Sequence, residues 1–161
     1  MTTVAIVTPR YPPVSSGGGE QSTKLLATQL ATQDRIDEVT VFAFDGTGSA
    51  VRDGVTVRRL GTVSSFITEL QNISVGQKLN GRLAEFDVVH AYNMEIHPVV
   101  GYLSDRAGVP SVGTLNSYHF FPSSVTNTTA KGLERIYELI GQPTTGWLMR
   151  QSMMRMDGFI A

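Results

Sequence analysis

The chain has no cysteine among its 161 residues. That excludes a disulfide framework and any thiolate metal site, and it fits a reducing compartment. Long apolar runs are also missing, and no stretch approaches the ~20 residues of a membrane span. The N-terminus carries no signal-peptide pattern, because Thr2-Thr3 supplies no basic region and the apolar run after it is short. These features point to a cytoplasmic protein. Charge is sparse, with Asp, Glu, Lys and Arg at 17%, and nearly balanced, with a formal net charge of −1. No block of like charge occurs, so there is no electrostatic case for nucleic acid. There is no Gly-Lys-Ser/Thr of a Walker A loop, no Gly-x-Ser-x-Gly elbow and no pair of histidines four apart on one helix. A P-loop NTPase, a serine hydrolase and a histidine-held metal therefore lack support, and no metal is expected. Two glycosylation sequons, at Asn72 and Asn127, read as chance in a chain without an export signal. What remains is a hydrophobic share of 41%, ordinary for one globular domain with a real core.

Against that background the glycines stand out. Residues 4–7 (Val-Ala-Ile-Val) read as a short buried strand, and a loop with Pro9, Pro12 and Pro13 follows. Then come Gly17, Gly18 and Gly19, and a helical pattern begins at once. Glycine has no Cβ, so the backbone there can approach a ligand closely. The first N–H groups of a helix have no intrahelical partner, and the helix dipole is positive at that end. Together these predict an anion site, most often used for phosphate.

The rest of the chain alternates strand and helix signals. Leu25, Leu26 and Leu30, with Ala27 and Ala31, make a helical stripe. Residues 39–44 form a second strand, 45–49 a loop, and 55–60 a third strand near an edge. Residues 64–85 are helical, with Phe66, Ile67, Leu70, Ile73, Leu79 and Leu83 as buried candidates, and Gly76 and Gly81 weaken that helix. A nearly all-apolar strand at 86–92, a helix at 98–107 and a strand at 111–115 come next. After a polar loop at 116–130, helix is expected at 131–140, a break at Gly141-Gln142-Pro143, a second helical piece at 147–156 and a sixth strand at 158–161. The default place for Trp147, Leu148, Met149, Met153, Met154 and Met156 is the core, with peripheral membrane contact as the alternative for a helix also bearing Arg150 and Arg155. This order predicts an α/β, Rossmann-like parallel sheet with helices on both faces, spanning 1–161 as one domain. The apolar strand signal at the last residues suggests a longer protein, cut at a domain boundary.

Ligands of such sheets bind beyond the carboxyl ends of the strands. Residues 8–19, 45–48, 92–97 and 116–119 converge there. His90, His97 and His119 all fall near those strand ends. His90 is either a core histidine or a site residue, His97 reads as a helix-start residue, and His119 is the best candidate for titration or hydrogen bonding. The glycines nearly spell a dinucleotide fingerprint, with Asp45 as the ribose acid of an NAD-dependent oxidoreductase. Nine residues separate them from the strand, however, and Ser22 holds the last small position. A stand-alone phosphate- or nucleotide-binding module is the other alternative.

Several short segments occur in a suggestive order. They are Pro9-Arg10-Tyr11-Pro12-Pro13, Gly18-Gly19-Glu20, Leu26-Ala27-Thr28-Gln29-Leu30, Val39-Thr40-Val41, residues 54–60 (Gly-Val-Thr-Val-Arg-Arg-Leu), Asp87-Val88-Val89-His90-Ala91, Gly108-Val109-Pro110, and residues 156–161 (Met-Asp-Gly-Phe-Ile-Ala). In this order the chain resembles the N-terminal half of a retaining glycosyltransferase of the GT-B fold, in the family 4 group. The resemblance implies an acceptor-side domain whose partner, a C-terminal domain of the same protein absent from this chain, binds most of a nucleotide-sugar donor. This domain alone would be inactive. Gly17, Gly18 and Gly19 would face the donor diphosphate, with no cofactor and no metal. His90, Tyr92, Asn93, Ser117, Tyr118 and Arg150 would shape the pocket for a sugar, lipid-linked or small-molecule acceptor. The family's Thr-x-His histidine falls on Asn116, which can donate a hydrogen bond but cannot carry a proton. His119, three residues on, is the candidate substitute, so Asn116 and His119 are the expected catalytic positions.

Overall fold

The structure is a computed structural model that describes residues 1–65, 67–117 and 131–161. Its elements are β1 (Thr2–Thr8), α1 (Gly18–Ala31), β2 (Ile36–Ala43), β3 (Thr47–Arg52), β4 (Val55–Leu60), α2 (Thr68–Leu79) and β5 (Val88–Ala91). A 3-10 turn (Met94–Ile96), α3 (His97–Ala107), β6 (Ser111–Thr114), α4 (Leu133–Ile136), a π-helical turn (Tyr137–Gly141), α5 (Gln142–Met153) and β7 (Gly158–Ile160) complete the chain. The seven strands lie in the order β3-β4-β2-β1-β5-β6-β7. β3 runs antiparallel to β4, and the other neighbours pair in parallel.

The strand period of two divides the apolar side chains between two cores. Val4, Ile6, Val39, Val41, Val55 and Val57 face one way and pack with Ala27, Leu26 and Leu30 of α1. Ala5, Val7, Phe42, Val89 and Ala91 face the other way, onto Val75 and Leu79 of α2 and Val100 of α3. Both faces of the sheet are therefore helix-covered. Fully burying each such Val, Ile or Leu contributes roughly 1.5–3 kcal/mol. Two aspartates tie the amino ends of the strands together. Asp87 Oδ2 accepts from Thr3 N at 2.8 Å, and Asp157 Oδ2 accepts from Ser111 N at 2.7 Å. The Thr3 amide and hydroxyl hold the Asp87 carboxyl below its usual range. These two aspartates of the resemblance thus serve the fold, at the opposite end of the sheet from the glycines.

Five details depart from the sequence reading. Residues 47–49, expected as loop, open β3, which joins β4 through an Asp53-Gly54 turn with φ of 52° and 76°. β3 is exposed along its length, so it has no apolar alternation to betray it. The helix expected at 64–85 is confined to α2, and Gly81 lies beyond it with φ of 74°. Phe66 lies outside the described residues. Leu25, Leu70 and Ile73 point outward, because Thr23 and Ala27 take the inner line of α1 and Thr68, Asn72, Val75 and Leu79 that of α2. The expected break at 141–143 is instead a wide π turn running straight into α5. Pro143 falls in the first turn of α5, where its missing N–H removes no hydrogen bond within that helix. Finally, Met153 and Met156 enter the core, while Trp147, Leu148 and Met154 are exposed. Among the described residues, no helix is long and apolar enough to cross a membrane.

Candidate functional site

β2 lies on one side of β1 and β5 on the other, so the order reverses at β1. At such a reversal the loops leaving the two strands part, and ligands of α/β sheets bind in the crevice between them at the carboxyl ends. The loop after β1 is held at several points. Phe44 N donates to Pro9 O at 3.1 Å, and Tyr11 N donates to Asp45 Oδ2 at 2.8 Å. Arg59 pairs with Asp45 Oδ1, and its Nη2 donates to Tyr11 O at 2.9 Å and Pro12 O at 3.0 Å. Burial pushes the Tyr11 hydroxyl up to about 12.

The loop delivers Gly17 to the N-cap of α1, with Gly18 and Gly19 in the first turn and no side-chain cap on the helix. None of the three has positive φ. A Cβ built at Gly18 or Gly19 meets nothing within 4 Å. At Gly17 it would meet only the Glu20 carboxylate, which folds back over it. The fold therefore has no steric need for glycine at 18 and 19, although each costs a helix interior up to about 1 kcal/mol against alanine.

Opposite the glycine loop, the Thr8 hydroxyl at the end of β1 lies 3.0 Å from Asn93 Oδ1 and 3.0 Å from Arg10 O. Asn116 Nδ2 donates to Tyr92 O at 3.0 Å, and Tyr92 N donates to Val7 O at 3.0 Å. Tyr92, Asn93 and Asn116 are thus brought together with the end of β1. Tyr92 and Asn93 are half-buried, while Asn116 and Ser117 are exposed. His90 is buried, with Nε2 2.8 Å from Thr114 Oγ1 and its ring 6.2 Å from that of Tyr92. Arg150 is exposed on α5, whose Met149 and Met153 pack with Met94 and Leu115. Tyr118 and His119 lie outside the described residues.

His97 opens α3, as expected of a helix-start residue, but it is fully buried. Its Nε2 lies 3.0 Å from Ala91 O, and burial brings it down to about 4, so it is neutral. Burial also lowers His90. No group of three His, Asp or Glu suited to a metal occurs among the described residues. Both carboxylate oxygens of Asp45 are engaged, one by Arg59 and one by Tyr11 N, so it is not poised as a ribose acid. Arg59 is the residue that sequence reasoning missed. Its signal was a cation at the carboxyl end of a strand whose neighbour ends near Asp45.

The sequence model of Glycosyltransferase Family 4 matches residues 16–161. The chain belongs to this family. No curated protein matches it. Among solved structures it is similar to sucrose-phosphate synthase from Thermosynechococcus elongatus, with a TM-score of 0.65 and 13% identity over 86% of this chain. It spans 39% of the length of that synthase. A second similarity, to aspartate semialdehyde dehydrogenase II from Vibrio cholerae, has a TM-score of 0.38 and 13% identity over 74% of this chain and 33% of the other. At that score it carries no argument. Family and fold agree with the α/β, Rossmann-like sheet and its helix-covered faces.

Proposed function

We propose that the chain is the acceptor-side domain of a retaining, metal-independent glycosyltransferase that uses a nucleotide-sugar donor. The observation that carries this reading is the uncapped start of α1, with two glycines for which the fold has no steric use, beside the reversal point of the sheet. The N–H groups of the first turn would donate to the donor diphosphate and stabilise the charge that builds on it as the sugar departs. Glu20 swings off Gly17 when the phosphate arrives, since two anions do not share one helix end.

Tyr92, Asn93, Asn116 and Ser117 would bind the acceptor. Asn116 has its Nδ2 committed to Tyr92 O, which leaves its Oδ1 to accept from an acceptor hydroxyl. It orients the acceptor and carries no proton. His119 is the residue proposed to titrate, while His90 backs the Tyr92 ring. Catalysis is expected to need a second, donor-holding domain, so this chain by itself turns over no nucleotide-sugar. The exposed Ile136, Leu139, Ile140, Trp147 and Leu148 favour a lipid-linked acceptor and peripheral membrane contact at the cytoplasmic face.

Gly18→Ala and Gly19→Ala test the reading. Each raises unfolding free energy by up to about 1 kcal/mol, because alanine is the better helix former. Each also weakens binding of UDP, GDP or ADP by about tenfold or more, on the order of 1.4 kcal/mol, because the Cβ stands where the phosphate approaches. Stabilised variants with unchanged diphosphate binding would contradict the proposal.

A further inference from the structure

The Pro-rich loop lacks a ladder of its own, yet its partners fix it from three sides. Phe44 holds Pro9, Asp45 holds the Tyr11 amide, and Arg59 holds the carbonyls of Tyr11 and Pro12. The Tyr11 side chain is buried in the α1-side core. Arg59 is the hub. One guanidinium nitrogen faces Asp45 and the other bridges two successive carbonyls, with side-chain exposures of 12% for Arg59 and 8% for Asp45. A planar fork suits this three-way contact, whereas a lysine ammonium is a point donor on a flexible stem. Gly46 and Gly61 close the frame behind it, with Gly61 N donating to Gly46 O at 2.7 Å.

We infer that Arg59 is a positioning residue for the donor phosphate. By clamping Tyr11 and Pro12 to Asp45, it sets the path of the loop that delivers Gly17, Gly18 and Gly19 to the crevice. The inference rests on the proposed donor site. It adds to that site a residue that touches neither donor nor acceptor. Loops that position reacting groups are sensitive to small displacements, since a shift of about 1 Å costs up to about a hundredfold in rate.

The test compares the wild-type chain with Arg59→Lys and Arg59→Met. Backbone ¹⁵N relaxation reports the order of residues 14–19, and titration with UDP, GDP and ADP is followed at the Gly17, Gly18 and Gly19 amides. Arg59→Lys keeps the charge beside Asp45 and gives up the bridge between the two carbonyls. It is expected to stay folded, to loosen residues 14–19 and to weaken diphosphate binding by about threefold to tenfold. Arg59→Met is expected to weaken it by more, and if it does not fold the lysine variant carries the test. A purely structural ion pair would lower the thermal midpoint and leave the folded chain's affinity and loop order unchanged, and that result overturns the inference. A wild-type chain whose glycine amides respond to none of the three diphosphates overturns the donor site and the inference together. A responding wild type with an equally responsive Arg59→Lys overturns the inference alone.

Discussion

His97 is a neutral histidine sealed between the sheet and α3, and its chemistry reaches beyond its own site. Its folded value of about 4 lies below the ordinary 6.5. Above pH 6.5 both folded and unfolded chains hold it neutral, and its contribution is fully present. As the pH falls through 6.5 the unfolded chain takes up a proton that the folded chain refuses, so stability declines until about pH 4, where the folded histidine also protonates. The loss approaches about 3 kcal/mol across that window. His90, also lowered by burial, acts in the same direction. Urea titrations at stepped pH should show the decline, and His97→Gln should flatten it by about one proton. An unchanged slope in that variant would mean that His97 is not the group responsible. Three of the residues expected in the site, Tyr92, Asn93 and Asn116, do meet at the end of β1. Asp45 and Arg59 do not read out from their neighbours in sequence, because their partnership spans two strands.

At the scale of elements, glycines divide by what lies across from them. Gly18 and Gly19 face open space. Gly101, inside α3, faces α5, and a Cβ there would stand 2.7 Å from Ser152 O and 2.9 Å from Met156 Cγ. Gly101→Ala therefore destabilises, despite alanine's better helix propensity, by about 1–3 kcal/mol, the range of overpacking. Thermal unfolding checks this, and a stabilised Gly101→Ala would show that α3 and α5 pack more loosely than described. The central strands were legible because Val, Ile and Phe alternate or run apolar there. β3 was not, because an exposed edge strand of Thr-Gly-Ser-Ala-Val-Arg has no buried face to impose a pattern. The Asp53-Gly54 turn was its one available signal. Likewise, the inner line of α2 includes Asn72, whose amide donates to Thr68 O and Glu95 O and whose Oδ1 accepts from Val99 N. An apolar count passes over such a fully bonded polar residue and picks Leu70 and Ile73 instead.

At the scale of the whole molecule, the sheet puts the two tying aspartates at one end and the glycine loop, Tyr92, Asn93 and Asn116 at the other. Exposed apolar side chains gather on α4, the π turn and α5, and Met149 and Met153 of α5 pack with Met94, which follows β5, and Leu115, which follows β6. Under the proposed lipid-linked acceptor, Trp147 should blue-shift in fluorescence with vesicles containing anionic lipid, since tryptophan favours the interfacial layer. No shift at any vesicle concentration would leave a soluble acceptor as the better account. The central claim is that the glycine turn receives the donor diphosphate, and a crystal structure of the chain soaked in a nucleoside diphosphate tests it most directly. The account predicts phosphate oxygens within about 2.7–3.2 Å of first-turn amides at Gly18 and Gly19, with Glu20 displaced from Gly17. A diphosphate ordered elsewhere on the chain, with Glu20 still folded over Gly17, would contradict it.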